Sequence, residues 1–414
     1  MRLDEGLPWC PACDWNLAAW DPLVRPARGS RGLERRGHVV ADRIDGELYE
    51  ELSRARPTTP TAAPGFVAVV ALYWLLVVAM AVAGVWLLVA APSFWLVNLG
   101  VLLIVVAVLL RPRFGLRPRK RRRLDRTDAP ALFELLDTVA AALDVPVPED
   151  VVLDLGARIT LDTRGLRRRA VLELGGRLWT TLTPGARVAA LAHELSQLGS
   201  GDPYRGPWAR PVLRAADALV VATQAERTTP SILRSHRRGV PYLVIIGRLL
   251  LRPFARVALT VHTLAHRAGQ RAHRRAAYFA DSRTASVAGR DATLALLDRY
   301  LLSADIDRLI HHVATRRAIE RWPEAVAAYV DGRAEDLTLL RRHDARHAGL
   351  WDDHPPAGRR GRMVLAWPTT PARVRLTAAE SARIDGQLAP WIAAVAREII
   401  GARDFGDQGS PAAG

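Results

Sequence analysis

The chain has 414 residues, half of them hydrophobic, and its 58 basic residues outnumber 42 acidic ones, giving a net charge of +16. All basic residues except Lys120 are arginine, a bias typical of a GC-rich bacterial genome. The sequence has no stripe of aromatic and basic residues, no nucleic-acid fold signature and no phosphate-binding glycine loop, so a nucleic-acid partner is disfavoured. The two cysteines, three positions apart, exclude a disulfide framework and are compatible with a reducing compartment.

The first 63 residues are polar and charged, and the first 60 have no secretory signal peptide pattern. Cys10 and Cys13 lie in residues 1–22 and could supply half of a tetrahedral zinc site, with the other half coming from a second chain or from upstream sequence. An inert cysteine pair is an equal alternative. Residues 23–63 are predicted to be a charged linker with one helix near 42–54.

Residues 66–110 contain no charged residue, and we assign 64–111 to a transmembrane helical hairpin. The two parts, 66–91 and 93–110, would rise roughly 39 and 27 Å as helices, against a bilayer core of about 30 Å. Pro92 and Ser93 mark the turn. The aromatic residues near it are typical of a membrane interface: Trp86, Phe94 and Trp95.

The charges that flank the apolar region predict its orientation. Arg54 and Arg56 precede it, and eight basic residues follow it within 111–123, whereas the turn is uncharged. Basic flanks stay in the cytoplasm. We therefore expect a multi-pass protein of the bacterial inner membrane whose main domain faces the cytoplasm and whose arginines contact lipid headgroups.

Residues 124–402 are predicted to form one α+β domain that is predominantly helical. A helix is expected at 129–143, strands at 151–162 and 169–175, and mainly helices from 183 onward. Residues 403–414 are rich in Gly, Ser, Pro and Ala and are predicted to be a disordered tail.

Residues 240–265 are apolar but carry an arginine every fourth residue, at 248, 252 and 256, with Pro241 and Pro253 interrupting them. Three arginines in a bilayer centre would each cost about 2.5–3.5 kcal/mol. An amphipathic helix on the membrane surface avoids this cost, so we favour it over a third spanning helix.

Another helix is predicted to start at Thr183-Pro184. It is rich in alanine and carries His193 and Glu194. Zinc proteases place two histidines four residues apart on such a helix, with a glutamate after the first as general base. In this chain the position of the second histidine is Gln197.

Further motifs follow in order. The sequence Ala-Tyr-Phe-Ala-Asp spans 277–281, and His354-Pro355-Pro356 comes six residues before Arg360. With the preceding hairpin, these motifs make residues 64–365 resemble the membrane-bound gluzincin metallopeptidases, the family of the CAAX prenyl proteases and the bacterial heat-shock membrane protease. The N-terminal cysteine pair also resembles a zinc-ribbon knuckle found in some bacterial members. The resemblance implies a zincin-like fold, proteolysis of membrane proteins and catalytic zinc.

The resemblance also assigns roles to residues. His193 is the retained zinc ligand, Gln197 and Ala277 stand at the other two ligand positions, and Glu194 is the general base. Asp281 would orient a ligand, and His354 and Arg360 would lie near the substrate cleft. Glutamine is a weak oxygen donor and alanine cannot bind a metal, so the expected zinc site is dismantled. Without zinc, Glu194 has no acidified water to deprotonate.

Two pairs of histidines could supply replacement ligands. His262 and His266 lie four residues apart with His273 following, and His343 and His347 form a second pair. The simpler interpretation is that they are exposed histidines on arginine-rich helices.

We therefore predict a membrane-anchored, catalytically impaired metallopeptidase-like protein that acts in binding or regulation, with peptides or membrane-protein clients as its partners. The client would pair with residues 170–178 as an edge strand. One alternative is an active zinc endopeptidase with substituted ligands. The other is a membrane-surface scaffold that binds anionic lipid without binding peptide.

Overall fold

The computed structural model describes residues 31–55, 57–90, 93–115, 123–154, 156, 158–165, 167–224, 242–315, 322–334, 336–346 and 354–407. This part of the chain is mostly helical with one small mixed sheet, which confirms the predicted α+β class. The predicted zinc knuckle at Cys10 and Cys13 lies outside the described residues.

The helices that carry or support the site are interleaved with the strands of a single sheet. In chain order the elements are α1 (Arg31–Leu52), α2 (Pro64–Ala90), α3 (Phe94–Leu110), β1 (Arg123–Leu124), α4 (Pro130–Leu143), β2 (Asp150–Asp154), β3 (Thr160–Arg164), β4 (Arg169–Gly175), α5 (Gly176–Trp179), α6 (Pro184–Ser196), α7 (Ala209–Gln224), α8 (Tyr242–Ala288), α9 (Arg290–Leu301), α10 (Ser303–Thr315), α11 (Trp322–Asp331), α12 (Leu337–Asp344), α13 (Ala357–Ala366) and α14 (Ala378–Asp407).

The sheet has the order β1-β2-β4-β3, with β2 and β4 parallel and the other pairs antiparallel. The single strand predicted at 151–162 is thus two strands, β2 and β3. The prediction that 170–178 is an edge strand is wrong, because β4 is central, with Val171 opposite both Asp150 and Asp162. Apolar side chains of the sheet pack with α4 and α6 in the main core.

Among the described residues one helix, α2, is long and apolar enough to cross a bilayer, so the second spanning helix of the predicted transmembrane hairpin stays a prediction. The apolar helix α3 is shorter, at 17 residues, and packs against α2. The contact is close because Gly84 faces Gly100: a Cβ atom built on Gly84 would lie 2.9 Å from the Gly100 carbonyl oxygen. Small residues at such a crossing allow helix backbones to approach, as is common between membrane helices.

A separate membrane-surface helix was predicted at 240–265. The described part of this segment, from Tyr242 onward, is the first half of α8, which is 47 residues long. Pro253 lies inside this helix, although proline removes a backbone hydrogen bond there, so the expected interruption is wrong. Side chains up to residue 259 are outside the described set. The second half of α8 packs against α6.

Two other boundaries differ from the predictions. The linker helix α1 begins at Arg31 rather than near residue 42. The C-terminal helix α14 continues to Asp407, so residues 403–407 are helical and not part of a disordered tail. Residues 402–405 carry no proline or glycine, and the Gly-Ser-Pro sequence comes only at 409–411.

Candidate functional site

The site is built around α6, which begins as predicted. Thr183 caps the helix by accepting a hydrogen bond from the backbone nitrogen of Ala186, and Pro184 occupies the first turn. Every described side chain from Ala186 to Ser196 is buried. Consecutive residues on a helix point about 100° apart, so His193 and Glu194 reach different neighbours.

His193 is enclosed by hydrogen-bonding groups. Its Nδ1 lies 3.2 Å from Oδ1 of Asp281, and its Nε2 lies 3.2 Å from the side-chain nitrogen of Gln197. Nη2 of Arg360 lies 3.3 Å from Nε2. These partners assign the proton to Nδ1, which donates to Asp281, while Nε2 accepts.

Asp281 and Arg360 form a two-pronged buried ion pair. Nε and Nη2 of Arg360 donate to the two carboxylate oxygens over 2.8 and 2.7 Å. Burial raises the pKa of Asp281, but the charge and hydrogen bonds of Arg360, with help from His193, lower it to about 2. Both side chains are therefore charged inside the protein, and each satisfies the other.

These residues do not fit a catalytic zinc site. A zinc ion needs three protein ligands with free lone pairs. The acceptor nitrogen of His193 is already occupied by Gln197, and Ala277, buried one turn before Asp281, has no donor atom. A permanent positive charge, Arg360, lies beside both ring nitrogens of His193 and would repel a metal cation.

Glu194 points to the sheet. Its Oε2 accepts a hydrogen bond of 2.9 Å from the backbone nitrogen of Leu161 in the edge strand β3. The carbonyl oxygen of Leu161 accepts from Arg205. Both main-chain groups of Leu161 are thus bonded by side chains, as a neighbouring strand would bond them.

The capping continues along the same strand. The carbonyl of Thr163 accepts from Arg214 over 2.9 Å, and the nitrogen of Gly165 donates to the Phe114 carbonyl over 3.0 Å. Protein groups therefore cover the outer edge of β3 from Leu161 to Gly165. Such covering protects an edge strand from unwanted pairing.

Next to the capped edge of β3 lies a cleft of about 700 Å³. It brings together His193, Glu194, His354 and Arg360 from the predicted site, together with the start of β3 and the segment after α9. Charged or polar side chains dominate the wall: Arg158, Asp162, Glu173, Asp202, Arg205, Arg210, His273, Tyr300 and Asp344. Such a convergent concave site is the default candidate for ligand binding.

A second histidine arrangement was not predicted from the sequence. Nδ1 of His273 lies 2.9 Å from both carboxylate oxygens of Asp202, and its ring stacks on Tyr204 at 4.3 Å. Burial raises the pKa of Asp202, but the charge and hydrogen bond of His273 lower it overall. The residues lie 71 positions apart, so no local pattern could have paired them.

His354 completes the cleft. Its ring centroid is 6.0 Å from those of His193 and His273. Within the described part of the chain its enclosed Nδ1 has no hydrogen-bond partner. Burial, followed by the nearby Arg360 charge, holds the pKa of His354 well below its usual value, so the ring is neutral at neutral pH. A neutral imidazole has one donor and one acceptor nitrogen, and His354 lines the cleft.

The proposed replacement ligands do not assemble a metal centre among the described residues, which contain no group of three His, Cys, Asp or Glu side chains suited to one. The side chain of His262 and all of His347 lie outside the described set. His266 contacts Tyr204, its ring centroid 5.0 Å away, and His343 lies on α12.

Comparisons with family models, with curated proteins and with solved structures found no match for this chain.

Proposed function

We propose that this chain is a membrane-anchored, metallopeptidase-like protein that binds peptide segments of client proteins and does not hydrolyse them. The observation that carries the proposal is the buried Asp281–Arg360 pair, which bonds His193 and lies at the base of an accessible cleft. A hydrolase of the resembled family would need that histidine free for zinc.

The bound client would be an extended segment that lies along β3. Pairing with an edge strand uses main-chain hydrogen bonds and so accepts many sequences. The start of β3 lines the cleft, so the client would pair there and would have to displace Glu194 and Arg205 from Leu161. Arg214 and the Phe114 carbonyl cap the strand beyond that point. Neutral His354, which also lines the cleft, would bond the client's amides.

The membrane part of the proposal places α2 and α3 as a hairpin across the bacterial inner membrane, with the main domain in the cytoplasm. Its support is the charge-free run, the basic flanks and the close packing of the two helices at Gly84 and Gly100. Alkaline extraction of membranes tests the anchor: the protein should stay in the membrane fraction.

Peptide binding is tested with the full chain in detergent micelles and labelled extended peptides, read out by fluorescence anisotropy. Ala304→Trp should reduce affinity at least tenfold, since Ala304 lines the cleft and the indole would fill it. Ala379→Trp on the exposed face of α14 is the matched control. Binding without cleavage supports the proposal; cleavage of the peptides, or equal affinity of both variants, contradicts it.

A further inference from the structure

The base of the α2–α3 hairpin is embedded in the domain. Phe66 packs against the Tyr204 ring, with centroids 5.4 Å apart, and Val70, Tyr73 and Val77 join the same buried cluster with residues of α7 and α8. Beyond Val77 the only buried residue of α2 is Gly84, which contacts α3. The outer half of the hairpin therefore projects from the domain.

The two helices are in register along the projecting part. The hydroxyl of Tyr73 donates to the carbonyl of Leu110, the last residue of α3. The 17 residues of α3 rise about 25 Å, so the hairpin extends roughly that far beyond Tyr73, close to the bilayer core thickness of about 30 Å. The bilayer surface should then lie near the level of Tyr73.

Trp74, which follows Tyr73 on α2, contacts the exposed Trp208 of the domain. Nε1 of Trp74 donates to the Trp208 carbonyl over 3.0 Å, and the two rings meet edge to face at 5.9 Å. The side chain of Trp208 is 66% exposed. On the free face of α2, the large apolar side chains of Val67 and Leu72, nearer its start, are also exposed, by 53% and 66%.

We infer that Trp208 and the segment around it lie in the headgroup layer of the bilayer, so that the domain rests on the membrane surface. A tryptophan with an apolar ring and a hydrogen-bonding edge favours that layer. Val67 and Leu72 precede Trp74 on α2 and expose large apolar side chains. Lipid should therefore cover α2 at least down to the level of Trp208. The occupant of this patch is lipid, because it is continuous with the apolar surface of the hairpin.

This arrangement, which rests on the proposed membrane anchor, locates the cleft. Arg205 and Arg210 both line the cleft and lie on either side of Trp208 in the chain. One wall of the cleft then lies at the bilayer surface. Membrane-protein segments that emerge from the bilayer are therefore the client class that reaches it most directly.

The test uses the full chain with Cys10→Ser and Cys13→Ser, which removes both native thiols. Three separate variants, Trp208→Cys, Val82→Cys and Leu365→Cys, each carry a nitroxide label. Collision of the label with oxygen and with a water-soluble nickel chelate reports its depth in proteoliposomes. Val82 is 63% exposed on the projecting half of α2. Leu365 is 52% exposed and lies on α13, whose apolar side packs with Ala285 of α8. Ala285 is 20 residues, or about 30 Å of helix, beyond Ala265, which packs in the cluster at the base of the hairpin. The label at 365 is therefore the reference for a position far from the bilayer.

The inference predicts that the label at 208 collides with nickel at least threefold less than the label at 365, and with oxygen less than the label at 82. If 82 is in hydrocarbon and 208 is as accessible to nickel as 365, the domain does not rest on the bilayer and the inference is wrong. If 82 is itself accessible to nickel, the membrane anchor fails and the inference fails with it.

Discussion

Replacing Arg360 with methionine would leave the Asp281 carboxylate buried and without its cation. Methionine keeps much of the side-chain volume, so the effect isolates charge from packing. Both residues of the pair are almost fully buried, at 3% and 1% side-chain exposure. Removing one partner of such a pair typically costs about 3–5 kcal/mol, because the remaining charge is uncompensated.

The assay is thermal unfolding of the purified protein in one detergent. At about 2–4 °C per kcal/mol for domains of roughly 150–250 residues, Tm should fall by at least about 6 °C. Arg383→Met is the matched control, since Arg383 and its partner Glu134 are 58% and 68% exposed and both can be solvated. Adding Asp281→Leu to the Arg360 variant should recover most of the loss. Equal melting of the two single variants would refute the buried pair.

Three further predictions concern pH, the capped strand and the hairpin. Because the pKa of Asp281 is lowered from 3.8 to about 2, its ionised form adds about 2 kcal/mol to the free energy of unfolding above pH 4, and this contribution is lost as pH falls towards 2. Unfolding free energies measured against pH should show this loss in the parent protein and not in the Arg360→Met variant. Arg205→Ala, which frees the Leu161 carbonyl, should raise peptide affinity up to about tenfold, given about 1.5 kcal/mol for such a bond, and weaker binding in anisotropy would count against edge pairing. Gly84→Val should destabilise the hairpin by about 1–3 kcal/mol because its side chain meets α3, whereas Val85→Leu, on an exposed position, should leave Tm unchanged.

Local features of the fold were predictable from the sequence. Thr183-Pro184 has the chemistry of a helix start, and the structure places the cap there. The absence of charge from 66 to 110 predicted apolar helices on either side of a turn. These signals act within a few residues, so periodicity and capping rules capture them.

Features that depend on long-range contacts were not predictable. The parallel pairing of β2 with β4 makes β4 central, and alternation within 169–175 does not reveal its neighbours. Similarly, Pro253 favoured a helix break, but the long helix continues through it. Local propensity is weaker than the packing that fixes these elements.

In the candidate site, too, the residues were predictable from local motifs whereas their long-range contacts were not. His193, Glu194, Asp281, His354 and Arg360 were singled out from motifs, and the structure brings them together at one cleft. What the sequence could not show is that Arg360 would span 79 positions to bind Asp281 and contact His193, or that Glu194 would cap a strand. Both follow only from the packing of α13 against α8 and of β3 against α6.

The central claim is tested most directly by the metal content of the purified chain carrying Cys10→Ser and Cys13→Ser, with and without His193→Ala, measured by plasma mass spectrometry. Removing the cysteines ensures that any zinc counted is not bound at the knuckle. Neither protein should hold stoichiometric zinc, even after purification with zinc present. Roughly one zinc per chain that is lost with His193→Ala would contradict it and would make the chain a metallopeptidase with substituted ligands.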